Sequence, residues 1–211
     1  MKLKFFVLIF ITVVLGTTSS FSAPIIIGEI TYTATGSPET LTATFTQPDG
    51  GVTSGTYDGF VEISVSGTGQ SAGQSFNDAF YVYSPGPPFN DPSFYQLTFG
   101  TNTLVPLAPA QDAKNFIRYD LATGMEVTPP YVPAFNSNHV YDIVLDTGVT
   151  TPMNLHFGVS DGIFSDNTGF YNITVTQLVP SVPAVPEPAS LALLGSTLLG
   201  FGIMLRRRNR V

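Results

Sequence analysis

Tyr171-Asn172-Ile173-Thr174-Val175-Thr176-Gln177-Leu178 alternates apolar and polar side chains with a period of two. In a strand, successive side chains point to opposite faces, so Tyr171, Ile173 and Val175 share one face and their polar neighbours share the other. β-branched and aromatic residues suit such a half-buried pleated surface. Two more stretches carry the same pattern: Phe60–Ser66, through Val61, Ile63 and Val65, and Met153–Val159, through Leu155, Phe157 and Val159.

Working outward, strand-like runs also occur at Ile25–Ala34, Leu41–Thr46, Phe80–Ser84, Tyr95–Phe99, Phe116–Asp120 and Val140–Asp146. Turn chemistry separates them. Pro48-Asp49-Gly50-Gly51 reads as a turn, and the proline-rich stretches Ser84–Pro92 and Pro129–Pro133 read as loops. One short helix fits Ala110–Asn115. Outside the two termini no stretch repeats with helical period, and there is no internal repeat. About nine short strands with turns between them predict an all-β fold, an antiparallel β-sandwich over residues 23–180.

Charge is distributed unevenly. The chain has 15 acidic and 8 basic residues, a formal net charge of −7. Residues 23–184 hold 14 of the acidic residues but only Lys114 and Arg118 as cations, a formal −12. Such a surface repels nucleic acid and anionic lipid and attracts cations. There is no cysteine, so neither a disulfide framework nor thiol chemistry is available.

The N-terminus has Lys2 and Lys4, then an apolar run from Phe5 to Leu15, then small residues. That is the anatomy of a secretory signal peptide over residues 1–22, with cleavage predicted after Ser22. The C-terminus has three parts in order. Val185-Pro186-Glu187-Pro188 closes a proline-rich linker over 181–188, and its prolines keep the entry extended. An uncharged run of 17 residues, Ala189–Leu205, follows. As a helix it spans about 26 Å, the short end of what crosses a bilayer. Arg206, Arg207, Arg208 and Arg210 in the tail over 206–211 would hold that end in the cytoplasm. Physics alone reads an ordinary C-terminal anchor.

The Pro-Glu-Pro entry, the short span with Gly195, Gly200 and Gly202, and the terminal arginines together resemble the PEP-CTERM protein-sorting signal. That resemblance covers only the last 27 residues. It implies recognition by an exosortase, a membrane protease-transpeptidase of bacteria that make exopolysaccharide. The expected route is export, an inner-membrane intermediate, then release to the cell surface or extracellular matrix.

Candidate chemistry lies in two places. Gly69-Gln70-Ser71-Ala72-Gly73 matches the G-x-S-x-G nucleophile elbow, but that motif needs a following helix, and Phe76–Ser84 reads as a strand. The two histidines, His139 and His156, stand apart in sequence and form neither a triad nor a zinc motif. His156 falls on the polar side of its alternation and reads as an exposed strand residue. A non-enzymatic protein is expected, with a secreted serine hydrolase using Ser71 as the weaker alternative.

The stretch Asp161-Gly162-Ile163-Phe164-Ser165-Asp166-Asn167-Thr168-Gly169 is richer. It gathers oxygen-bearing side chains with glycines that let backbone curl. Calcium takes six to eight oxygens, carbonyls included, although the spacing is not that of an EF-hand. Asp, Asn and Gly are equally good turn formers, so a long hairpin turn fits too. With the alternating strand behind it, the stretch resembles the calcium loop of small calcium-dependent bacterial galactose lectins, which are β-sandwiches. The resemblance implies calcium ligands from Asp161, Asp166 and Asn167, with the carbonyl of Ile163, and an upstream carbonyl near Ser71 or Ala72. The segment Ile63–Gly67 resembles that family's earlier segment. The loop is shorter here and the family's other sugar-contacting loop has no counterpart, so calcium is better founded than carbohydrate. A structural matrix or coat protein without a ligand is the remaining alternative.

Overall fold

The computed structural model describes residues 24–71, 75–83, 91–92 and 96–181. The signal peptide read over 1–22, most of the linker, the span over 189–205 and the arginine tail lie outside them. Among the described residues no helix is long and apolar enough to cross a membrane.

The fold is all-β. In chain order the strands are β1 (Ile25–Ile27), β2 (Ile30–Thr44), β3 (Gly51–Val52), β4 (Phe60–Ser66), β5 (Gly69–Ser71), β6 (Ser75–Asn77) and β7 (Tyr81–Tyr83). They continue as β8 (Asp91–Pro92), β9 (Leu97–Gly100), β10 (Ile117–Asp120), β11 (Met125–Glu126), β12 (Val140–Asp146), β13 (His156–Val159) and β14 (Thr168–Pro180). The large antiparallel sheet runs β11-β10-β12-β4-β14-β5-β6-β7-β8, with β2 also on β14 and β1 on β2. A second sheet, β3-β13-β9, packs against it.

The period-two pattern sets the core. Register places Val61 opposite Leu145, Ile63 opposite Ile143 and Val65 opposite Tyr141. On the other side of β4, Ile173 faces Val65 and Val175 faces Ile63. These side chains pack as one cluster with Leu97, Phe99, Leu155, Phe157 and Val159 from or beside the small sheet. Each fully buried aliphatic side chain contributes roughly 1.5–3 kcal/mol. The opposite face of the large sheet is covered at one end, where Ile25, Ile27, Tyr119, Val144 and Leu178 form a smaller cluster beneath β1.

Several sequence expectations change. The run Ile25–Ala34 is broken at Gly28, whose φ of 62° turns the chain back on itself. Leu41–Thr46 is not a separate strand; most of it ends the 15-residue β2. Gly36, Ser37 and Pro38 bulge from β2 opposite Thr176, because Thr35 pairs with Gln177 and Glu39 with Val175. A bulge with a proline suits this largely exposed edge, since proline cannot donate to a ladder. The helix over Ala110–Asn115 is two 3-10 turns, Pro109–Gln111 and Ala113–Asn115.

The largest change concerns the strands flanking the Asp161–Gly169 stretch, whose composition also fits a long hairpin turn. They belong to different sheets: β13 pairs with β3 and β9, and β14 with β2, β4 and β5. Both carry a fully apolar face, and two such faces are buried by stacking across the core rather than by lying side by side. The connection is therefore a crossover between sheets, not a hairpin turn.

Candidate functional site

Strand β13 has a polar cluster at each end. At its C-terminal end the chain leaves the small sheet through Ser160, whose N–H donates to the Gln96 carbonyl at 2.9 Å. Asp161 is buried, 5 % exposed. Its Oδ1 accepts the N–H groups of Gly162 at 2.6 Å and Ile163 at 3.2 Å, an Asx-type turn that starts the crossover. Its Oδ2 is buried without a hydrogen-bond partner. Asn167, also 5 % exposed, donates Nδ2 to the Phe45 carbonyl at 3.0 Å and ties the far side of the crossover to the end of β2.

Thr168 pairs with Gln70, so Asn167 enters the ladder at the level of Ser71. Ser71 is fully buried and its Oγ has no partner. Asp161 and Asn167 are thus both buried at the two ends of the crossover, and Asn167 lies level with the β5 position from which an upstream carbonyl was expected. Asp166 and Ile163 are exposed, the latter at 64 %. Among the described residues no three His, Cys, Asp or Glu side chains are grouped so as to hold a metal. A calcium ion here would depend on Asp161 together with neutral oxygens. The unpartnered Oδ2 fits such an ion, because a buried carboxylate oxygen without a donor is costly to leave unsatisfied.

The elbow geometry does not form around Ser71. It ends β5, and the next strand β6 folds back beside it, with Ser71 opposite Ser75. A strand therefore stands where the motif requires a helix.

Both histidines have partners that sequence reasoning missed. His156, read as an exposed strand residue, is instead half-buried and held through Nδ1 by Asp49 Oδ2 at 2.8 Å and Oδ1 at 3.0 Å. The pair forms because the turn before β3 lies directly on β13. A Cβ at Gly158 would meet the Pro48 carbonyl oxygen at 1.9 Å, so only glycine lets that turn seat. The Pro48-Asp49-Gly50-Gly51 turn signal was visible, but nothing local connects it to a histidine 107 positions away.

His139 is held through Nδ1 by Asp78 Oδ2 at 2.7 Å. Asp78 is fully buried, and the same Oδ2 accepts Tyr141 Oη at 2.8 Å. Its Oδ1 accepts the N–H groups of Phe80 at 2.9 Å and Tyr81 at 2.8 Å. Tyr171 Oη donates to the Asp78 carbonyl at 3.1 Å. Burial, and next the Asp78 charge, push the Tyr141 and Tyr171 phenols well above the usual tyrosine range. The His139 ring stacks on Tyr83 with centroids 4.3 Å apart, and its backbone has a φ of 55°.

No curated protein and no solved structure matches the chain, so the lectin-like resemblance has no counterpart there. The sorting residues Val185, Pro186, Glu187 and Pro188, and the arginines behind the span, lie outside the described residues. Residues 184–208, from the proline-glutamate-proline entry through Arg208, match the family described as the PEP-CTERM protein-sorting motif.

Proposed function

We propose that this is an exported, non-enzymatic protein whose acidic β domain reaches the cell surface or extracellular matrix after an exosortase processes its C-terminus. The observation that carries this is the match of residues 184–208 to the sorting motif. The lysine-led apolar N-terminus supplies the export step, and the short uncharged run with arginines behind it supplies the inner-membrane intermediate. Partners are then the exosortase and the membrane, and the acidic domain disfavours nucleic acid. In a host with an exosortase, protein released from the surface should have an intact mass lacking everything after the Val185–Pro188 region. Recovery with the span and arginines attached would reduce the segment to a plain anchor.

A second reading is favoured by the unpartnered Asp161 Oδ2. In it, Asp161 and neutral oxygens of the crossover hold calcium, with Asn167 as ligand or anchor and Asp166 and the Ile163 carbonyl at the rim. Bound calcium would add a positive charge beside that carboxylate and offer coordination to carbohydrate hydroxyls. Binding to the folded state alone would stabilise it by about 2.7 kcal/mol when calcium is roughly 100 times its Kd. The check is thermal unfolding of the full chain in chelator, calcium or magnesium. The midpoint should rise most in calcium, and Asp161→Ala should remove the rise. Equal midpoints in all three would leave the crossover as structure only, and the matrix or coat protein without a ligand would become the better description.

A further inference from the structure

We infer that the cleft beside His156 is a calcium-independent binding site for a neutral saccharide. It lies at the other end of β13 from the Asp161 crossover and does not rest on that reading.

The cleft has a volume of about 390 Å³, within the usual range of small-ligand sites, roughly 300–1,000 Å³. It is open to solvent and bordered by three segments. Thr56 comes from the turn before β4, Thr101, Asn102 and Thr103 from the loop after β9, and Asn154 and His156 from the approach to β13 and its first residue. Among the described residues no Lys, Arg, Asp or Glu lines it. With no fixed cation in a strongly acidic domain, it is ill suited to an anion. With one histidine and no grouped carboxylates, it is ill suited to a metal.

What the lining offers is unused neutral hydrogen-bonding capacity. The side chains of Thr56, Thr101, Asn102 and Thr103 make no hydrogen bond to the described protein. Asn154 spends only its amide nitrogen, on the Thr53 and Gly55 carbonyls at 2.9 and 3.0 Å. Its Oδ1 remains an acceptor. His156 gives Nδ1 to Asp49, so in the neutral ring Nε2 is an acceptor with a fixed orientation. Threonine hydroxyls that donate and accept, amides that do both, and an oriented imidazole acceptor match a ring carrying several hydroxyls. Met153 and Pro152 add the apolar surface against which the C–H face of such a ring can lie.

Two of the three walls are held before any ligand arrives. Asn154 clamps the 53–55 segment, and Glu39 accepts hydrogen bonds from Ser54 N, Ser54 Oγ, Gly55 N and Tyr57 Oη on its other side. The Tyr57–Met153 bridge joins the two segments. Binding to such a preformed cleft loses little freedom in the protein.

The test uses the full-length chain in a non-glycosidic detergent with EDTA present. Probes are neutral oligosaccharides of glucose, galactose and mannose, read by saturation-transfer NMR and calorimetry. At least one should bind saturably. Thr103→Val and Asn102→Ala, both at exposed positions, should each weaken it by about tenfold, the loss of a hydrogen bond or two, at an unchanged unfolding midpoint, and His156→Gln should weaken it as much with only the small stability loss expected from breaking its pair with Asp49. Asp161→Ala should leave it unchanged. Silence across the panel, or binding indifferent to all three cleft variants, overturns the site. Binding that appears only without EDTA and vanishes with Asp161→Ala also overturns it, and assigns the sugar to the calcium crossover instead.

Discussion

The two histidines are each held through Nδ1 by an aspartate, at 2.7 Å for His139–Asp78 and 2.8 Å for His156–Asp49, but the surroundings differ. Asp78 is fully buried and its two carboxylate oxygens take four donors, joining the β6–β7 corner to β12 and to the loop before it. Asp49 is partly exposed, its only side-chain partner among the described residues is His156, and the ring beyond it borders a cleft. A carboxylate whose valence is used up inside the protein is a fastening. One that fixes a single ring and leaves the other ring nitrogen to solvent prepares a surface for something else.

If that contrast holds, Asp78→Ala should be the costliest of three substitutions. It would leave two backbone N–H groups and the Tyr141 hydroxyl without their acceptor in the core. A loss of about 3–5 kcal/mol is expected from urea unfolding. A loss below about 1 kcal/mol would break the comparison, because the network would then fasten nothing.

Glu39→Gln should come next, with a loss of about 1 kcal/mol at neutral pH after allowance for partial exposure. Burial pulls the Glu39 carboxyl upward, but hydrogen bonds from Ser54, Gly55 and Tyr57 outweigh it, so its pKa lies below the ordinary glutamate value. The folded state therefore prefers the carboxylate. Its contribution is present above the unfolded pKa of about 4.3 and is lost as pH falls through the lower folded value. The stability gap between native protein and Glu39→Gln should accordingly narrow from pH 6 toward pH 3 in denaturant titrations. A gap that widens on acidification would reverse the sign and remove the idea that Glu39 holds the cleft wall as an anion.

Asp49→Ala should cost least, under about 1 kcal/mol, because a partly exposed pair with a single partner contributes little. Its effect should instead appear in the His156 ring resonances, which lose their fixed tautomer, and in weaker saccharide binding. If Asp49→Ala destabilises as much as Asp78→Ala, the two pairs are the same device and the cleft reading loses its oriented acceptor.

The strands were legible because alternation is local: β4, β12 and β14 could be read residue by residue, and their apolar sides do form the core. Pairing was not legible in the same way. Alternation in Met153–Val159 and Tyr171–Leu178 says that each buries a face, but not whether those faces lie beside or across from each other. The two carboxylate–imidazole pairs span 61 and 107 positions, so only the fold assembles them. Gly158 looks like a weak point in an apolar strand until the Pro48 carbonyl is seen against it. The Asp161 crossover was noticed for its oxygens, yet which of them turn inward depended on the change of sheet. The C-terminal signal was readable because all its parts are contiguous and need no fold to bring them together.

One further consequence follows from where β14 ends. Ile25 pairs with Tyr32, Tyr32 pairs with Pro180, and Ser181 N donates to the Thr31 carbonyl at 2.8 Å. Three neighbouring strands at about 4.8 Å spacing put residues 25 and 180 roughly 10 Å apart. The Asp161 crossover feeds the other end of the 13-residue β14, roughly 40 Å away at about 3.3 Å per residue. The domain is therefore topologically suited to circular permutation. A short linker from 181 back to 24, with new ends opened at the exposed turn around Thr123, would leave every ladder of the sandwich in place and both poles of β13 untouched.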